Sequence, residues 1–196
     1  MNERVYKFLL KLREKSIDIG IMALPEDSAK FLYFVTKIYN KENIKIVELG
    51  SGILYSALWM LCGILNSGKN GKIYAVEREE KYSKMGFNII NELSKILNLN
   101  VFDMLEIVNE DVVNLRGDEF GNDIDIIFFD IDKKLYLRAL KKFEPFIKKG
   151  GLIIAHNILS HKEELLDFIE EIKNEAKYFT LILQTDPQGL SISIKF

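Results

Sequence analysis

Cysteine is almost absent: Cys62 is the only one in the 196 residues, so no disulfide can form within the chain. It lies in an apolar stretch, which fits a reducing, cytoplasmic setting. Net charge is also small, with 27 basic residues against 29 acidic ones for a formal −2. That balance gives no electrostatic reason to expect nucleic acid as the main partner, although it leaves room for a local basic patch. No apolar run is long enough to span a bilayer; the longest, Ile53–Leu65, is too short, and no membrane association is expected. Met1–Arg13 is charged and amphipathic and lacks the apolar core and cleavage site of a secretory signal. Repeats, low-complexity tracts and interdomain linkers are missing too. A chain of this length with 48% hydrophobic residues is expected to fold as a single domain over 1–196, with helices in 1–40 and the main fold in 44–196.

What is present is periodicity. Val5, Phe8, Leu9 and Leu12 recur at helical spacing and predict an amphipathic helix over 3–15, packing on the domain or on a second copy of the chain. A second helix is predicted after Leu24-Pro25-Glu26-Asp27, with Phe31, Leu32 and Val35 on its buried face. From residue 44 strands and helices alternate. Ile44–Leu49, Lys72–Val76, Leu105–Val108, Ile124–Phe129 and Gly151–Ala155 read as apolar strands. Tyr55–Leu65, Lys81–Leu97, Lys133–Phe143 and Glu163–Ala176 read as helices. Two last strands, Phe179–Leu183 and Leu190–Lys195, flank the turn signal Asp186-Pro187-Gln188-Gly189. Apolar strands alternating with helices imply a parallel sheet covered on both faces, and so short a final connection requires an antiparallel member. The expected class is α/β: a doubly wound, mostly parallel seven-stranded sheet with an antiparallel last strand and added N-terminal helices.

In such sheets ligands bind at the carboxyl ends of the strands. The first such end is Glu48-Leu49-Gly50-Ser51-Gly52, where glycine lets the backbone turn sharply and approach a ligand. Glu77 closes the next strand, where a carboxylate can accept both ribose hydroxyls. A dinucleotide site uses the same carboxylate, so Glu77 alone leaves NAD and S-adenosylmethionine both open. Leu54 stands where a third glycine would be and would crowd a pyrophosphate at the helix N-terminus, which counts against NAD. Asp111, after the third strand, can accept from an adenine amino group or cap a helix.

The densest cluster is Asp130-Ile131-Asp132-Lys133-Lys134-Leu135-Tyr136. A carboxylate at the end of an apolar strand is costly unless something pairs with it. Asp130 therefore reads either as a capped helix start or as a metal ligand beside a lysine base, Lys133. The next strand ends at His156-Asn157, with His161 following. Strand ends on one sheet edge converge, so Asp130, His156 and Asn157 can approach one ion. Carboxylate and amide oxygens suit magnesium, and an imidazole shifts preference toward manganese, iron, cobalt or zinc.

Taken in order, these motifs resemble the metal-dependent O-methyltransferases of the catechol and caffeoyl-CoA type, especially their short bacterial and archaeal relatives, over roughly residues 20–196. Glu48–Gly52 with Tyr55-Ser56-Ala57-Leu58-Trp59 is similar to the family's E-[IL]-G-T-G-x-G-Y-S-A cofactor motif, Asp130–Tyr136 to D-A-D-K-x-x-Y, Ala155–His161 to D-N-x-L-x-x-G, and Gly189-Leu190 to the closing D-G-L turn. The resemblance implies a Rossmann-like methyltransferase fold and S-adenosylmethionine as cofactor. It implies cofactor contacts at Met22, Glu48, Gly50, Ser51, Gly52, Tyr55, Ser56, Glu77, Asp111 and Asp130, with Met22 and Ser56 at the methionine end. It also implies a divalent metal on Asp130, His156 and Asn157 and catalysis by Lys133 and Asp130. The expected reaction is methylation of a hydroxyl on a small catechol-like molecule, and a homodimer is expected. Leu54, His156 in place of an aspartate, and a short stretch after His161 depart from the pattern. The alternatives are a methyltransferase for a modified tRNA or other RNA base, a weakened S-adenosylmethionine-binding module, and a dehydrogenase.

Overall fold

The computed structural model describes residues 1–196. Its strands are β1 Asn43–Leu49, β2 Asn70–Val76, β3 Leu105–Val108, β4 Ile124–Phe129, β5 Ile147–His156, β6 Tyr178–Leu183 and β7 Leu190–Lys195. They form one seven-stranded sheet in the order β3-β2-β1-β4-β5-β7-β6. Only β7 runs antiparallel, against both β5 and β6, because the turn from β6 is too short for a crossover. The helices are α1 Glu3–Asp18, α2 Glu26–Ile38, α3 Tyr55–Leu65, α4 Glu80–Leu97, α5 Tyr136–Phe143 and α6 Leu166–Ile172. This is the doubly wound, mostly parallel sheet expected from the alternation of strands and helices, and the Rossmann-like architecture that the resemblance implies.

Period-two burial divides the core into two layers. Ile44, Ile46, Ile73, Ala75, Ile126, Phe128 and Ile154 join the apolar faces of α1 to α4. Val47, Leu49, Ile127, Phe129, Ile153 and Ala155 join α5 and α6. Helix α3 is buried on nearly every side, between the sheet and the two N-terminal helices. Trp59 on α3 anchors those helices, with the rings of Tyr6, Tyr33 and Tyr55 set edge-on around it at 6.0–6.3 Å between centroids.

The register matters most for function. Leu49 is level with Val76 and Phe129, and Phe129 with Ala155. The residues that follow, Gly50, Glu77, Asp130 and His156, therefore stand in a row along one edge. The order reverses between β1 and β4, which opens a crevice there.

Three boundaries differ from the periodicity. β5 begins at Ile147 rather than at Gly151, carrying Lys148 and Lys149 into the strand. Helix α6 is shorter than predicted and is flanked by turns. Lys133–Leu135 form a 3-10 turn before α5, with the Asp132 side chain accepting from the Lys134 amide.

The early start of β5 has a physical cause inside β4. Asp125 is fully buried, and its carboxylate accepts from the Lys45 amide at 2.8 Å and from the ammonium groups of Lys41 and Lys148. Burial alone would lower the Lys148 pKa, but its bond to Asp125 and its contact with Tyr39 leave it raised. A charge hidden within an apolar strand is thus the tie that holds the lysine end of β5 against β4. The cluster lies at the amino ends of the strands, away from the crevice. Asp125→Ala should destabilise the protein by roughly 3 kcal/mol, since it strips two ammonium groups and one amide of their acceptor. Urea unfolding would measure the loss, and ligand affinity at the opposite edge should be preserved.

Candidate active site at the carboxyl edge of the sheet

A cavity of about 550 Å³ lies along this edge. Gly50 can turn there only because it lacks a side chain: its φ is +88°, and a β-carbon would sit 2.2 Å from the Asp130 carbonyl oxygen. The loops after β1 and β4 are therefore in backbone contact. The Gly50 and Ser51 amides both donate to the Val76 carbonyl at 3.0 Å, and the Gly52 amide donates to Glu77 Oε2 at 2.8 Å. The other Glu77 oxygen accepts from the Glu79 amide at 2.8 Å. Burial raises the Glu77 pKa, and these two amides pull it back in part.

Twelve of the thirteen residues expected at the site line this cavity: Met22, Gly50, Ser51, Gly52, Tyr55, Ser56, Glu77, Asp111, Asp130, Lys133, His156 and Asn157. Glu48 is the exception. It is fully buried beneath the loop, on the strand face that α3 covers, with no hydrogen bond to either oxygen. Burial pushes its carboxyl up to about 8; Ser56 opposes this, while Asp130 and Glu77 add to it. Met22 is exposed, on the segment between α1 and α2 that passes over the cavity. Asp111 faces the cavity while its Oδ1 accepts from the Val113 amide at 3.0 Å; the residues after it form a turn, so the helix that the capping reading required is not there.

At the other end, Asp130 Oδ1 lies 3.7 Å from Lys133 Nζ and 3.5 Å from His156 Nδ1. Lys133 Nζ also donates to the Ile131 carbonyl at 3.1 Å. Asn157 adopts a φ of 66°, and its buried Oδ1 has no partner. Tyr136 points away from the cavity, and its buried hydroxyl sits 3.1 Å from the Phe129 carbonyl and 3.2 Å from that of His156. It binds the ends of β4 and β5 together. His161 lines the cavity and pairs with the neighbouring Ser160 at 2.8 Å.

One residue escaped the sequence reading. Asp186 Oδ2 lies 3.5 Å from His156 Nε2. Asp186-Pro187-Gln188-Gly189 reads as a turn and nothing more, yet the antiparallel pairing of Leu190 with His156 brings that turn over the imidazole. Burial works against the Asp186 charge, but the Ser28 hydroxyl and the Gly189 and Gln188 amides hold its carboxyl below the usual range.

A family model described as O-methyltransferase matches residues 2–187. The chain belongs to the O-methyltransferase family. Tapetum-specific methyltransferase 1 of Arabidopsis thaliana is 25% identical over 200 residues, which take in 94% of this chain and 80% of the relative. An O-methyltransferase of Bacillus cereus, solved in complex with SAH (S-adenosylhomocysteine), superposes with a TM-score of 0.80 at 20% identity, covering 100% of this chain and 92% of that one. The SAH-bound methyltransferase of Podospora anserina gives 0.82 at 14% identity, covering 100% and 89%. At these identities the two structures show the shared fold.

Within this O-methyltransferase, Leu54 does not crowd the loop, contrary to the sequence reading. Its backbone is left-handed, at a φ of 76°, but the side chain is 1% exposed and is turned into the core, against α4 at Gly86. The left-handed backbone costs roughly 1–2 kcal/mol, and burying leucine returns about 2–3 kcal/mol, so the arrangement holds.

The methyltransferase also carries a pH signature in Glu48. Its native carboxyl keeps its proton up to about pH 8, whereas the unfolded group releases it near 4.5. Stability from this group is fully present below 4.5 and is lost as pH rises to about 8, by roughly 5 kcal/mol at most. Glu48→Gln, neutral at every pH, should therefore gain on wild type across that window and show no such gain at pH 4. Paired urea unfolding curves against pH would show it.

Proposed function

We propose that this chain transfers the methyl group of S-adenosylmethionine to a hydroxyl of a small, catechol-like molecule, with the help of a divalent metal. One observation supports this above the rest: Lys133 and the Asp130–His156–Asn157 group line the same cavity as the glycine loop, and stand directly beside it. In this reading the Gly50, Ser51 and Gly52 backbone cradles the methyl donor, with Met22, Tyr55 and Ser56 toward its methionine end. Glu77 keeps acceptor capacity for the ribose hydroxyls beyond its two amide bonds. Asp111 faces adenine, and Glu48 supports the loop from below.

The residues present fit a metal. Asp130 offers a carboxylate, and His156 Nδ1 and Asn157 Oδ1 are buried without hydrogen-bond partners. Those three groups would hold the ion, which supplies Lewis acidity to the acceptor oxygens when bound. Lys133, only 13% exposed, is placed to take the hydroxyl proton. The acceptor oxygen then attacks the sulfonium methyl carbon as the carbon–sulfur bond breaks. Most of the protein's contribution is holding the two reactants in line. A homodimer and a cytoplasmic setting belong to the same proposal.

The test is methyl transfer from labelled S-adenosylmethionine to a catechol panel, with chelation and metal add-back. Lys133→Ala should lower turnover by about 10²- to 10⁴-fold with cofactor affinity retained. Turnover indifferent to chelator removes the metal from the proposal, and donor binding without transfer to any hydroxylated acceptor removes the activity.

A further inference from the structure

Both ring nitrogens of His156 are buried without hydrogen bonds, and each faces a carboxylate at 3.5 Å, Nδ1 toward Asp130 and Nε2 toward Asp186. A neutral imidazole carries one N–H. With that N–H turned to Asp186, the Nδ1 lone pair points at Asp130 Oδ1, an arrangement that repels unless a proton or a metal ion lies between them. Two donors each about 2.1 Å from one ion at a tetrahedral angle lie about 3.4 Å apart, close to the observed spacing.

From this geometry we infer that Asp186 is a positioning residue. It fixes the His156 ring with Nδ1 toward the ion and so gives this site a preference for a nitrogen-accepting divalent ion over magnesium. The inference rests on the metal half of the proposed function. A ligating histidine that gives its other nitrogen to a carboxylate is held in one tautomer and one orientation. Asp186 is itself tightly held. Its Oδ1 accepts from the Gln188 and Gly189 amides at 2.6 and 3.0 Å, and its Oδ2 pairs with the Ser28 hydroxyl. The ring orientation is therefore set from the turn before β7 and from α2, neither of which touches the ion. Exchanging oxygen for nitrogen at position 156 also moves the donor set toward borderline metals.

The test is calorimetric titration of the full chain with cobalt(II), manganese(II) and magnesium(II), alongside pulsed paramagnetic resonance of the manganese form. Wild type should bind cobalt and manganese more tightly than magnesium and show hyperfine coupling to an imidazole nitrogen. Asp186→Asn keeps the oxygen that the Gln188 and Gly189 amides need and puts a donor toward His156. It should weaken cobalt binding by about 10- to 100-fold at an unchanged melting temperature. Should that variant melt early, Ser28→Ala loosens the same carboxylate and is expected to act in the same direction. His156→Asp should shift the preference back toward magnesium. Cobalt affinity unchanged in Asp186→Asn overturns the role of Asp186 and leaves the metal reading standing. Absence of nitrogen coupling overturns the orientation of His156. No binding of any of the three ions by wild type overturns both this inference and the metal half of the proposed function.

Discussion

The carbonyl oxygen of Asp130 lies where a side chain on Gly50 would have to go, 2.2 Å from the position of its β-carbon. That contact fuses the end of β1 to the end of β4 at the place where the strand order reverses. The glycine loop, the Glu77 carboxylate that ties it down and the Asp130 cluster are all positioned from it. The glycine loop and the Asp130 cluster are thus parts of one rigid edge. Two reactants bound there would inherit their relative placement from the backbone itself, which is more precise than placement by long side chains.

The chain places several carboxylic acids in or near its interior, and it handles each case differently. Asp125 is met by two lysines and an amide and acts as a structural clamp. Glu77 is met by backbone amides, which satisfy it without cancelling its charge. Glu48 is met by no charge or amide, only by the nearby Ser56, and holds its proton instead. Asp130 is shared between a lysine and an imidazole, with neither close enough to claim it. An acceptor left so loosely paired on the cavity wall suits a group whose partner arrives with the ligand.

Much of this was legible in the sequence. The alternation of apolar strands and helices sets the sheet, and the short last turn requires the antiparallel strand. The row Gly50, Glu77, Asp130, His156 follows from counting to each strand's end. What stayed hidden depends on register between distant strands. Asp186 meets His156 only because β7 pairs with β5, and no local pattern records that pairing. Asp125 was concealed by its apolar neighbours, and Lys148 and Lys149 look like loop until their neighbour's charge is known. Leu54 was legible as a departure, but the direction of its side chain was not. Tyr136 belongs to the densest cluster of the sequence, and its hydroxyl proved to serve the backbone.

Leu54 and Gly86 are two halves of one feature. A β-carbon at Gly86 would come within 2.8 Å of Ile107 Cδ1 and 3.1 Å of Leu54 Cδ1, so the bare turn of α4 is the hollow that receives the leucine. The loop can forgo a glycine only because the helix supplies one. In descent the two positions are bound to drift as a pair: a chain that regains glycine at 54 leaves a void beside α4 and gains by filling it. One that fills 86 first crowds the ends of Leu54 and Ile107. The order of the two substitutions is thereby constrained, and it can be read from any lineage in which both have changed.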